Sequence, residues 1–261
     1  MKLKVKFAVV LFSVAAVAAI LFLGVFGVIK NNKTEFYKSQ PLMLPDGFTV
    51  TAHTGCMDTK ENSLEAIEKG VEFGADTVEF DLYFTADGNP VLSHDKPRGG
   101  EVTLDEAFKK VSEYESLTVN VDIKVCDALE KVAPLAEKYG ILDRIFYTGV
   151  VVDFVQDVKS KSPQVKYFLN TDIKSENKHT EEYLQSLVEL VKSNNAVGIN
   201  INKDNASKEL VDYFHANGLL VSIWTVSNEK DMHKILYFAP DNITTRNPEL
   251  LNRIISEGET K

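Results

Sequence analysis

After residue 45 the chain alternates between two hydrophobic rhythms. Period-two runs fall at 48–54, 77–82, 117–124, 144–149, 165–170, 196–202, 219–226 and 243–245. Such runs predict strands, whose successive side chains point to opposite faces. Between most of them, apolar residues recur at helical spacing, as Leu64, Ile67 and Val71 do within 63–73. Thr103 and Glu106 have the spacing of a capping box ahead of Phe108 and Val111. Further helices are predicted over 127–139, 152–161, 180–193, 207–217 and 228–238.

One strand breaks the rhythm. Pro90–Asp95 follows 77–82 after a short link containing Asp87-Gly88. A parallel crossover needs about a dozen residues, so this segment is a hairpin arm. Without it, eight strands alternate with helices, which predicts an α/β fold of the (β/α)8 TIM-barrel type. An open doubly wound sheet is the second choice, and no glycine-rich dinucleotide fingerprint follows any strand to favour it.

A different pattern occupies the first 30 residues. Lys2, Lys4 and Lys6 precede an apolar-or-small run from Phe7 to Ile29 in which only Ser13 is clearly polar. At 1.5 Å per residue the run reaches roughly 34 Å, enough for one transmembrane helix. It exceeds the roughly 7–15 residues of a signal-peptide core, which favours a retained anchor over a cleaved signal. Residues 1–30 therefore read as a membrane anchor, 31–45 as a polar linker and 46–261 as the barrel domain. The lysines before the run favour an N-terminus inside the cell. The expected location is the cell membrane, single-pass, with the domain outside the cytoplasm, or secreted if the segment is cleaved.

Charge sharpens this division. The chain carries 29 bases and 38 acids, net −9, with no Asp or Glu before Glu35. An acidic domain repels phosphate backbones, so no nucleic-acid partner is expected. A phosphate substrate bridged by a metal stays compatible, because a bound cation reverses the local sign.

The strands carry polar residues toward their carboxyl ends, where barrel enzymes place their chemistry. Glu79 and Asp81 share one face of their strand, and Val78, Phe80 and Leu82 share the other. Asn120, Asp122 and Lys124 alternate in the same way with Val119, Val121 and Ile123. Apolar faces toward the helices leave the carboxylates in the barrel mouth. Three converging carboxylates need a cation or a proton, and an all-oxygen set suits Mg²⁺ or Ca²⁺. The alternative is a cluster neutralised by Lys124. His53 ends the first strand and His94 lies on the hairpin arm, which makes them candidates for general base and general acid. Cys56 and Cys126 follow strands on the same rim, with a bridge and two free thiols both open. His179, His215 and His233 lie on or beside helices and read as surface residues.

At these residues the chain resembles the glycerophosphodiester phosphodiesterase family. The matching stretches are AHTG (52–55), ENSLEA (61–66), GADTVEFDLYFTADGNPVLSHD (74–95), VDIK (121–124), WTVSN (224–228) and TTRNP (244–248). The resemblance implies a metal-dependent barrel of the phosphatidylinositol phospholipase C type. It implies hydrolysis of glycerophosphodiesters to an alcohol and glycerol 3-phosphate. It gives His53 and His94 the acid/base roles and matches Glu79 and Asp81 to metal ligands. Lys124 matches a phosphate-binding lysine, Trp224 a residue lining the glycerol site, and Glu61 a position near the first histidine. Three positions depart from the family. Thr54 replaces an arginine that contacts phosphate, Asp122 replaces a glutamate, and Arg246 stands where an aspartate is usual. Strand 8 neighbours strand 1 in a closed barrel, so Arg246 is expected to supply the guanidinium absent at position 54; the alternative is a surface or helix-capping arginine. Two other readings remain: a sphingomyelinase-D-like or lysophospholipase-D-like enzyme acting on lysolipids, and an inactive binding barrel displayed on the membrane.

Overall fold

The computed structural model describes residues 34–173 and 180–259. The run 7–29 and His179 lie outside them, and no helix among the described residues is long and apolar enough to cross a membrane. Within the predicted linker, 34–39 is helical. The compact unit that carries the barrel starts at Pro41. Leu42 and Leu44, also inside the predicted linker, pack against its core.

The period-two runs become β1 (Thr49–Ala52), β2 (Thr77–Phe84), β3 (Pro90–Leu92), β4 (Thr118–Ile123) and β5 (Ile145–Val150). They continue as β6 (Lys166–Asn170), β7 (Gly198–Asn202), β8 (Leu220–Trp224) and β9 (Asn242–Thr245). All pair in parallel except β3, and β1 pairs with both β2 and β9. Eight parallel strands thus close into a barrel.

The helices are α1 (Leu64–Glu72), α2 (Leu104–Ser112), α3 (Val132–Lys138) and α4 (Val155–Lys161). The others are α5 (Glu181–Ser193), α6 (Lys208–Ala216), α7 (Glu229–Phe238) and α8 (Pro248–Glu259). Local chemistry sets their starts. Ser63, Ser207 and Asn228 each accept an N–H of the first turn, and Thr103 with Glu106 forms the expected capping box. The pattern reading missed α8, which closes the last βα unit against α7 and β1.

Two features of the barrel position the site. Leu82 of β2 pairs with Ile123 of β4 on one edge and with Leu92 of β3 on the other. The edge that takes β3 is therefore the one β1 occupies lower down, where Ala52 pairs with Val78. The hairpin arm brings the chain after Leu92 back above the end of β1. The second feature is a polar barrel interior below the mouth. Asn242 Oδ1 accepts from Thr49 Oγ1 at 2.9 Å and Thr51 Oγ1 at 2.6 Å, and its Nδ2 donates to Ser222 Oγ at 2.9 Å. Each of these buried groups finds a partner, which removes most of the cost of burying them. The apolar outer faces pack on the helices as expected: the Phe80 and Phe108 ring centroids lie 6.3 Å apart.

Candidate active site

The carboxyl ends of the strands open into a cavity of about 590 Å³. All nine residues singled out in the sequence line it: His53, Glu61, Glu79, Asp81, His94, Asp122, Lys124, Trp224 and Arg246. Alternation on β2 and β4 puts Glu79, Asp81 and Asp122 on the inner wall. Pairing of Asp81 with Asp122 in register sets the two carboxylates side by side. One oxygen from each of the three carboxylates lies within 4.8 Å of the others.

Each carboxylate is held. Glu79 Oε2 accepts the Thr54 N–H at 2.8 Å. Asp81 is gripped by Asn62, whose Nδ2 donates to Oδ2 at 2.8 Å while its Oδ1 accepts the Asp81 N–H at 2.9 Å. Asp122 Oδ1 accepts from Thr148 Oγ1 at 2.7 Å. Lys124 lies 2.9 Å from Asp81 Oδ1 and is also paired with Asp122. Burial disfavours its charge, but Asp122 and Asp81 outweigh that and hold the ammonium protonated. One ammonium does not offset three carboxylates. Burial, then the charges of Asp81 and Asp122, push the Glu79 carboxyl well above the usual range. Oxygen donors in surplus negative charge, each oriented by a neighbour, fit a hard divalent cation.

His53 continues from β1 through a hydrogen bond to β9, its N–H donating to Thr245 O at 2.8 Å. Its ring Nδ1 is 2.8 Å from Thr54 O. A carbonyl only accepts, so Nδ1 carries the proton and Nε2 keeps its lone pair. Burial lowers the ring's pKa below its ordinary value, and the Arg246 charge pushes the same way. His94 is exposed on the arm after β3, with Nδ1 3.2 Å from Asp95 Oδ1.

Arg246, following β9, reaches across to Glu61, with Nη2 2.7 Å from Oε1. The pair sits over Gly55, whose φ is +73°, and a Cβ there would come within 2.8 Å of Glu61 and 3.1 Å of Arg246. Thr54, meanwhile, is buried and uses Oγ1 to accept the Asn62 N–H at 2.5 Å. Arg246 thus brings a guanidinium to this corner of the mouth, where Glu61 holds it.

Two residues that the sequence did not point to, Thr148 and Asn170, also line the cavity, and Asn62, outside that lining, holds Asp81. Asn62 lies inside the ENSLEA stretch, where its amide was the available signal. Thr148 and Asn170 stand in strands at positions that pattern along one strand does not single out, and register with Asp122 and Asn200 brings them to the cavity. Gly149 is required between them: its φ is +72°, and a Cβ would collide with the Asp122 carboxylate at 2.8 Å. Cys56 and Cys126 are buried free thiols, and burial pushes both up to about 11. His215, expected at the surface, is instead half-buried and pairs with Asp241 at 2.8 Å, because α6 packs it against the lower rim of the barrel.

The profile of the glycerophosphoryl diester phosphodiesterase family matches residues 51–139 and 97–250. The chain belongs to this family. A glycerophosphodiester phosphodiesterase of Caldanaerobacter subterraneus subsp. tengcongensis is 26% identical over 251 residues, covering 80% of this chain and 98% of the relative. A bovine glycerophosphodiester phosphodiesterase 1 is 49% identical over 57 residues, 22% of this chain and 17% of the relative. Among solved structures, an Oleispira antarctica phosphodiesterase in complex with the product sn-glycerol-3-phosphate superimposes with a TM-score of 0.65. It is 18% identical, covering 82% of this chain and 97% of that one. A Parabacteroides distasonis glycerophosphodiester phosphodiesterase gives 0.64 at 18% identity, over 83% and 98%. At that identity the two structures speak for the barrel alone.

Proposed function

We propose that this protein hydrolyses glycerophosphodiesters to an alcohol and glycerol 3-phosphate with a divalent cation and two histidines. The observation that carries the reading is the juxtaposition in one cavity of three clustered carboxylates, Lys124 and the two imidazoles. Glu79, Asp81 and Asp122 would hold Mg²⁺ or Ca²⁺. Such a cation, when bound, polarises the phosphoryl group and takes up charge developing on its oxygens.

The chain's own groups do the rest. Lys124, protonated, faces the phosphate as a second cation. Arg246 binds phosphate in place of the arginine absent at Thr54, exchanging Glu61 for the anion. His53, with Nδ1 fixed on a carbonyl, offers Nε2 as base to the attacking oxygen, water or a neighbouring glycerol hydroxyl. His94 carries the proton to the departing alkoxide, with Asp95 orienting its ring. Trp224 lines the glycerol end. The run 7–29 tethers the domain to the outer face of the cell membrane.

A second reading rests on a specific feature. Val151 and Val152, 41% and 48% exposed, follow β5 beside cavity-lining Phe154. That apolar lip suits the acyl chain of a lysolipid. The full-length chain in detergent should be offered glycerophosphocholine, glycerophosphoethanolamine, glycerophosphoinositol, glycerophosphoglycerol and a lysophosphatidylcholine, with Mg²⁺, Ca²⁺ or EDTA. Cation-dependent release of glycerol 3-phosphate supports the proposal. Release of choline from the lysolipid alone replaces it with the second reading. Binding without turnover of any of them leaves a binding barrel. Recovery of the full-length chain in carbonate-washed membranes tests the tether, and its appearance in the wash refutes it.

A further inference from the structure

Thr54 follows His53 at the end of β1 and is only 2% exposed. Three of its polar atoms each hold a different part of the site. Its N–H donates to Glu79 Oε2 at 2.8 Å, and its carbonyl oxygen accepts from His53 Nδ1 at 2.8 Å. Its hydroxyl oxygen accepts the Asn62 N–H at 2.5 Å. The first two are backbone contacts, open to any residue that has an N–H. The third needs a side-chain oxygen at position 54.

Asn62 depends on that oxygen. It has φ +55° and precedes Ser63, the cap of α1, so its N–H belongs to neither helix nor strand. A backbone donor left unmade away from water is costly. With the N–H pinned, the amide at the other end of the same residue has a fixed origin. That amide donates to Asp81 Oδ2 at 2.8 Å and accepts the Asp81 N–H at 2.9 Å. Two links thus lead from the Thr54 hydroxyl to the Asp81 carboxylate.

We infer that Thr54 is a positioning residue: its hydroxyl fixes Asn62, and through Asn62 it fixes where the Asp81 carboxylate points. This rests on the hydrolytic reading above only in giving Asp81 a cation to hold. The consequence is a single buried residue that ties Asp81 to Glu79 and His53, which its backbone holds directly. A shift of residue 54 moves two carboxylates and an imidazole together.

Two measurements on the full-length chain in detergent separate the inference from that reading. Hydrogen-exchange mass spectrometry, resolved to the Asp81 amide, tests the positioning alone. Thr54→Val keeps the shape and both backbone contacts but loses the oxygen. It should speed exchange at Asp81 at least ~10-fold, while Thr54→Ser stays within ~3-fold of the unmodified protein. Calorimetry with Mg²⁺ and Ca²⁺ then reads the site. Thr54→Val should bind at least ~10-fold more weakly and Thr54→Ser within ~3-fold of the unmodified protein. Thr54→Val combined with Asn62→Ala should bind no more weakly than Asn62→Ala, because both act on one path. Unchanged exchange at Asp81 in Thr54→Val overturns the inference. So does a Thr54→Val that loses Tm but keeps its cation affinity, or a double variant whose losses add. If the unmodified protein binds neither cation, the reading of Asp81 as a ligand fails and the exchange rates alone decide the positioning. Should Thr54→Val fail to fold, Thr54→Ala, which also lacks the oxygen, takes its place in both measurements.

Discussion

Asn62 holds Asp81 at both ends of one amide, donating to the carboxylate at 2.8 Å and accepting from the backbone N–H at 2.9 Å. Nineteen residues apart in sequence, the two form a closed ring that fixes where the carboxylate points. Asn62 itself has φ +55°, a left-handed conformation that asparagine tolerates better than most residues.

Removing the clamp should loosen the cation site without removing a ligand. Asn62→Ala is expected to weaken divalent-cation affinity by ~10–100-fold, the usual effect of losing a partner behind a ligand. Titration calorimetry with Mg²⁺ and Ca²⁺ checks it, and affinity within threefold of the unmodified protein would remove Asn62 from the site.

The histidines predict an acid limb in the rate profile. Burial lowers the His53 pKa, so the ring is neutral near pH 7 and competent as a base. Activity should hold as pH falls toward 6.5 and drop only below it, as the ring gains a proton. His53→Ala and His94→Ala should each lose ~10²–10⁴ in kcat with the fold intact. Near-normal turnover in either, with unchanged circular dichroism, would refute its assignment.

Glu79 stores repulsion. Its folded-state pKa is raised by burial and by Asp81 and Asp122. Without a cation, stability is therefore greatest below the unfolded carboxylate pKa and declines as pH rises toward the folded value. Glu79→Gln keeps the acceptor for the Thr54 N–H and removes the charge. In EDTA at pH 8 it should stabilise the protein on the order of 1 kcal/mol, about 2–4 °C in Tm, while abolishing activity. A lower Tm in the variant would show that the carboxylate is not under strain.

Arg246 and Glu61 make opposite predictions for substrate binding. Arg246→Ala should raise KM for a glycerophosphodiester ~10-fold or more through loss of a charge-assisted contact. Glu61→Gln should lower KM or leave it unchanged, since it releases the guanidinium. If Arg246→Ala leaves kcat/KM within a few-fold, the replacement of the arginine absent at Thr54 fails.

The thiols should be silent. Cys56 and Cys126, buried and pushed up to about 11, should resist a thiol reagent at pH 8 until denaturant is added. A dithiol reductant should leave Tm unchanged, and a reductant-sensitive Tm would reveal a bridge.

Alternation along β2 and β4 was enough to place Glu79, Asp81 and Asp122 on one wall, because period two is a property of the strand itself. Helix caps such as Ser63 and Thr103 are equally local, and the counting of strands led to the barrel. The hairpin arm could be separated from the barrel strands by link length alone. Other features depend on who sits next to whom. The Arg246–Glu61 contact spans 185 residues and exists because barrel closure sets β9 against β1. The Asn242 network, the Thr148 bond to Asp122 and the Asn200–Asn170 bond all follow from register between strands, which pattern along one strand does not carry. The free state of Cys56 and Cys126 was likewise open in sequence, since both lie on the same rim. Face and period are written residue by residue, so the chain's own order specified which side chains enter the barrel. Which of them meet there is a matter of closure and register, and those are decided only when distant strands compete for the same hydrogen bonds.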